Sequence, residues 1–122
     1  MSQVGLTDCT GDAKSLVPLL CCLCGSDQAQ VLDKATCLLA NALYFHEGNR
    51  RRFASLQGGE AMIRLIELVR RGGIERWETR SNAARAIGAL AYNDELAVRL
   101  GKFGAVHATT SILADFVDGA GE

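Results

Sequence analysis

The sequence predicts an all-α protein, a short α-α superhelix of about two and a half units with three helices each. Three observations predict it. Apolar residues recur at helical spacing in two long segments 48 residues apart. Three shorter apolar clusters follow glycine breaks at intervals of 49 and 44 residues. No stretch shows the sustained alternation of a strand, and one proline suits helices better than β-folds built on Pro-rich turns.

The first long segment covers residues 26–45. Its apolar residues Val31, Ala35, Leu38, Leu39 and Ala42 fall at offsets 0, 4, 7, 8 and 11, one face of a helix. Ser26 or Asp27 can cap it, because a short side-chain oxygen accepts from the orphan N–H groups of a first turn. The second long segment, residues 75–92, repeats the plan with Thr79, Ala83, Ala86, Ile87 and Leu90 after the Gly72-Gly73 break.

The shorter clusters are predicted as middle helices. Leu16-Val17-Pro18-Leu19-Leu20 follows Gly11, Leu65-Ile66-Glu67-Leu68-Val69 follows Gly58-Gly59, and Thr109-Thr110-Ser111-Ile112-Leu113 follows Gly104. Short helices complete the set at residues 49–56, with Phe53 and Leu56 inward, and at residues 95–100, with Leu96 and Leu100 inward. The order is middle, long, short, middle, long, short, middle. One such unit cannot bury its apolar face alone, whereas stacked units can. The helical domain is expected over residues 12–116, between a flexible N-terminus at 1–11 and a flexible tail at 117–122.

Composition narrows the function. The chain has 122 residues, 48% of them hydrophobic and 22% charged, which suits one globular domain. All ten arginines lie between Arg50 and Arg99, giving that stretch +4 against −5 for the rest. A basic middle between acidic ends can steer an acidic partner or let copies stack end to end; scattered surface charge is the competing reading. Five cysteines, three of them in one apolar run, form no spaced and even framework, so reduced thiols in the cytoplasm, or alternatively the nucleus, are expected. Residues 16–24 are too few to span a bilayer, and a positively charged region before them is missing.

These residues resemble the armadillo repeat family. Leu38-Leu39-Ala40-Asn41-Ala42 leads through His46-Glu47-Gly48-Asn49-Arg50 to Gly58-Gly59, and Ala86-Ile87-Gly88-Ala89-Leu90-Ala91-Tyr92-Asn93-Asp94-Glu95 leads to Phe103-Gly104-Ala105-Val106. The likeness covers about residues 12–116. The chain departs from the family pattern in its 48-residue spacing, which places a longer loop at residues 70–77, in Pro18, and in Thr109 and Thr110 at apolar positions. Softer end units suit a chain that ends here, and so few units invite self-association or assembly on a longer partner.

The resemblance implies a concave groove lined by the long helices that binds an extended protein segment. Its partner-binding positions would be Gln30, Lys34, Cys37 and Asn41, then Glu78, Asn82, Arg85 and Ala89. Residues three or four apart share a helix face, and this face is polar where its opposite is apolar. An Asn can both donate to and accept from a peptide backbone, and Arg85 can pair with a carboxylate or phosphate. The tryptophans of importin-alpha-like receptors are missing: their Trp/Asn pairs correspond here to Cys37/Asn41 and Arg85/Ala89. Trp77 is expected to pack against the loop or a neighbour.

Other chemistries fit less well. Arg50-Arg51-Arg52 spreads over most of a helical turn without aromatic interleaving, which weighs against a nucleic-acid surface. Cys21-Cys22-Leu23-Cys24 lacks the second pair that a zinc site needs, so no metal is expected and core packing is the better account. Phosphate-loop, Gly-x-Ser-x-Gly and His-Glu-x-x-His motifs are absent, and His46 and His107 stand alone. The expectation is a protein-binding adaptor or scaffold without catalytic residues or cofactor. A self-associating structural subunit is the alternative, with a small nucleic-acid binder behind it.

Overall fold

The computed structural model describes residues 26–44, 46–71 and 76–120. These residues form α1 (Ala29–Tyr44), α2 (Glu47–Ser55), a 3-10 turn (Leu56–Gly59), α3 (Glu60–Arg70), α4 (Trp77–Leu90), α5 (Asp94–Lys102) and α6 (Ala105–Ala120). No strand occurs among the described residues. The all-α class therefore holds, with both long helices in place. The helix expected at Leu16–Leu20, the Cys21–Cys24 run and residues 72–75 of the loop at 70–77 lie outside the described residues.

Local chemistry sets the helix boundaries. Asn93 Oδ1 accepts from Leu96 N at 3.0 Å and starts α5, while His46 Nδ1 accepts from Asn49 N at 3.1 Å and starts α2. Gly59 and Gly104 hold φ of 97° and 89° immediately before α3 and α6. Only glycine enters that region without crowding its own Cβ, so these two positions fix where both middle helices begin.

The core lies on either side of α4, where it packs against α1 and against α3, with α2, α5 and α6 closing its edges. Leu39, Leu43, Phe53, Met62, Leu65, Ile66 and Leu90 are all buried within it. Each such side chain contributes about 1.5–3 kcal/mol through removal of apolar surface from water. Phe53, Leu96 and Leu100 face inward as the sequence suggests, and Leu56 and Trp77 pack half-buried against the same cluster.

Two faces differ from expectation. In α4 the predicted stripe of Thr79, Ala83, Ala86, Ile87 and Leu90 is buried in full. In α1 the buried stripe is Leu32, Ala35, Thr36, Leu39, Ala40 and Leu43, turned about one position from the predicted one. Leu38 is 53% exposed as a result. Thr36 enters the core because its hydroxyl donates to Leu32 O at 2.9 Å, which satisfies a polar group without water. In α6 the buried residues are Ala105, Ala108 and Ile112, so Leu113 turns outward. The helix runs on to Ala120, past residue 116.

The largest surprise in the core is Arg80, which has no solvent exposure. Its Nε donates to Val69 O at 2.7 Å, near the C-terminus of α3. Its Nη2 stands 2.8 Å from Asp115 Oδ2 on α6, close enough for an ion pair but without hydrogen-bond alignment. One side chain of α4 thus ties down α3 and α6 together. Removing this side chain leaves a cavity in the core and the Val69 carbonyl without its donor, so Arg80→Ala should lower the unfolding free energy by about 3 kcal/mol or more. Arg80→Met, which keeps the stem and removes the charge, should cost less. Urea unfolding of both variants checks the order; equal and negligible losses would contradict the clamp.

Candidate functional site

α1 and α4 lie side by side and run in the same direction, because their cross-links keep a nearly constant sequence separation. The Thr79 hydroxyl donates to the Asp33 carboxylate, and Asn82 Nδ2 donates to Asp33 O at 3.1 Å. Further along, Arg85 Nη1 donates to Asn41 Oδ1 at 3.3 Å. At the far end Tyr92 OH donates to Tyr44 OH at 3.3 Å, and the two rings sit 5.7 Å apart.

A groove of about 980 Å³ opens along the first half of α1. Gln30, Lys34, Cys37, Glu78 and Asn82, five of the eight sequence-predicted positions, line it together with Val31, Asp33, Ala35 and Leu38. Asn41 and Arg85 lie further along the same surface, both exposed. Ala89 is buried in the core cluster and offers no side-chain surface to a ligand. Asn82 is also largely buried, its amide spent on Asp33 O and its Oδ1 accepting from Arg85 at 3.4 Å. The polar face is thus partly consumed by contacts between the two helices.

Arg85 is held by neutral acceptors. Its acceptors are Asn41 Oδ1, Asn82 Oδ1 and Cys37 Sγ, at 3.3, 3.4 and 3.7 Å. All are neutral groups, the two oxygens lie beyond the usual 2.7–3.2 Å range, and sulfur is a weak acceptor. Arg50, Arg51, Arg70 and Arg80 each pair with a carboxylate. Among the described residues no carboxylate pairs with Arg85 or Lys34.

Sequence reasoning missed the polar node at the end of this surface. Glu47 accepts from Arg50 Nη2 at 2.9 Å, Arg51 Nε at 2.9 Å and Asn93 Nδ2 at 2.6 Å. Arg50 Nη1 also donates to Leu43 O and Tyr44 O, both at 2.9 Å, and its guanidinium lies 5.9 Å from the centre of the Tyr92 ring. The Arg50-Arg51-Arg52 run is therefore anchored at its first two members on Glu47. The hydrogen bond from Arg51, then those from Arg50 and Asn93, hold the Glu47 carboxyl down from 4.5 to about 2. The hydrogen bond with Tyr44 and that neighbour's charge raise the Tyr92 phenol above its ordinary 10.0, with burial adding and Arg50 opposing. The one available signal was spacing, since Tyr44 and Tyr92 stand 48 residues apart, like the two helix faces.

Among the described residues, no group of three or more His, Cys, Asp or Glu side chains could hold a metal ion. No helix among them is long and apolar enough to cross a membrane. Comparison of the chain with family models, curated proteins and solved structures finds no match.

Glu47 binds its donors as a carboxylate, so a depressed folded pKa makes its contribution complete above about pH 4.5 and lost as pH falls towards 2. Glu47→Gln should lower Tm at pH 7, and the gap to wild type should close as the pH drops through that window. Thermal melts from pH 7 to pH 2.5 check this; a gap independent of pH would show that the charge is not what matters.

Proposed function

We propose that this chain is a short armadillo-like module that acts as a protein-binding adaptor. Its ligand is an extended segment of a partner protein, held along the groove of α1 and α4. The observation that carries the reading is the groove itself, where five positions expected from the sequence gather beside the half-buried Val31 and the exposed Leu38. Polar groups that fix orientation beside apolar surface that releases water are the ingredients of peptide recognition. The parallel α1–α4 pair, cross-linked at separations near 48 residues, supports the stacked-unit architecture. The middle and short helices bury the opposite side of that pair, which leaves this face for a partner.

The test is affinity capture from a native extract with wild type beside a Lys34→Glu, Leu38→Asp variant. Both residues are exposed, so helicity by circular dichroism should not change. A partner held by wild type and lost by the variant supports the adaptor reading. Equal capture by both would place the working surface elsewhere.

A second reading, a self-associating structural subunit, is favoured by α6. Val106, Leu113 and Val117 are 72%, 63% and 65% exposed and recur at offsets 0, 7 and 11 on one side of the helix. Its other side, at Ala105, Ala108 and Ile112, is already buried. A helix apolar on two sides asks for cover on both. Sedimentation should then show a concentration-dependent species that Val106→Glu, Leu113→Glu removes. A monomer across the range would count against this reading.

A further inference from the structure

Resting on the adaptor reading, we infer that the α4 ridge of Glu78, Arg85 and Tyr92 selects a ligand with a basic, an acidic and an apolar ring residue spaced about three residues apart in an extended segment.

The three ridge residues are exposed and stand seven residues apart. Seven residues are nearly two helical turns, so they share one face, each roughly 10 Å from the next at ~1.5 Å rise per residue. Tyr92 stands two residues past the end of α4, in a tight turn where Ala91 keeps a right-handed helical backbone and the Tyr92 N–H donates to Ala89 O. An extended peptide advances ~3.3 Å per residue, so three of its residues match one step of the ridge.

Each step has a defined chemistry. At the centre, Arg85 is oriented by three neutral acceptors at long distances and carries an uncompensated charge. A guanidinium held in place but under-satisfied is suited to a two-point carboxylate contact, with most of the ordering cost already met by Asn41, Asn82 and Cys37. Two turns back, Glu78 lines the groove and pairs with no cation among the described residues, so it takes a Lys or Arg. Two turns forward, Tyr92 and Tyr44 present tilted rings with the Arg50 guanidinium against the Tyr92 ring. Such a platform takes the flat face of a Phe, Tyr or Pro. The order of charges decides the occupant: negative, positive, aromatic on the ridge demands positive, negative, apolar on the ligand.

The probes are fluorescein-labelled peptides Lys-Ser-Gly-Glu-Ser-Gly-Phe and its reverse order, read by fluorescence polarisation against the full chain. One order should bind saturably. Replacing its Glu by Lys, or the protein's Arg85 by Glu, should each weaken binding at least tenfold, and combining the two should recover most of the loss. Tyr92→Ala should weaken the Phe peptide and leave a peptide with Ser in that place unchanged. Closing the spacing to one residue should abolish the preference. Absence of saturable binding in either order, or binding indifferent to Arg85→Glu, overturns the inference. Capture of a partner lost on Lys34→Glu, Leu38→Asp would leave the adaptor reading standing even then, so the two can fail separately.

Discussion

The Arg80 guanidinium is shut away from water, and the surrounding structure is arranged to bear that cost. A buried cation is tolerated only where acceptors are fixed around it. Here the Val69 carbonyl near the end of α3 accepts from Nε, and the Asp115 carboxylate of α6 stands beside Nη2 as the opposite charge. The same contact therefore supplies an orphan carbonyl with a donor and sets the position of α6 against α3 and α4. Because α4 is held from this side, its other side is free to lie against α1, and the groove follows from that placement.

The α1–α4 pair shows how one surface serves two ends. Small residues, Ala35 and Ala40 on one helix and Ala83 and Ala86 on the other, keep the core side compact. Polar side chains then reach across the seam, from Asp33 with Thr79 to Tyr44 with Tyr92. These contacts fix the register of the helices and use part of the polar face that a partner would otherwise meet. Asn82 illustrates the exchange, being a groove residue whose amide already serves the fold.

Much of the helical pattern was legible in the sequence. α5 and the buried stripe of α4 follow directly from apolar spacing, because Ala83, Ala86, Ile87 and Leu90 in one and Leu96 and Leu100 in the other recur at helical offsets. The stripe of α1 was harder, since Thr36 hides its hydroxyl in its own backbone and Leu38 is left outside. Counting apolar letters cannot see either effect. Arg80 was illegible for a different reason: its partners lie 11 and 35 residues away, and only the fold brings them together. The site divides the same way. Five of the positions that the resemblance implies line the groove. The burial of Ala89 and the Glu47 node were not legible, because they depend on how closely α4 and the start of α2 approach their neighbours.

The parallel direction of α1 and α4 has an electrostatic consequence. Peptide dipoles in neighbouring antiparallel helices largely cancel, whereas in a parallel pair they add. The two C-terminal ends, each worth about half a negative charge, therefore sit side by side near Tyr44 and Leu90. Arg50 occupies that place, with Nη1 on the Leu43 and Tyr44 carbonyls and the guanidinium beside Tyr92. The pair behaves locally as a larger dipole, and Arg50 is the counter-ion built in at its negative pole.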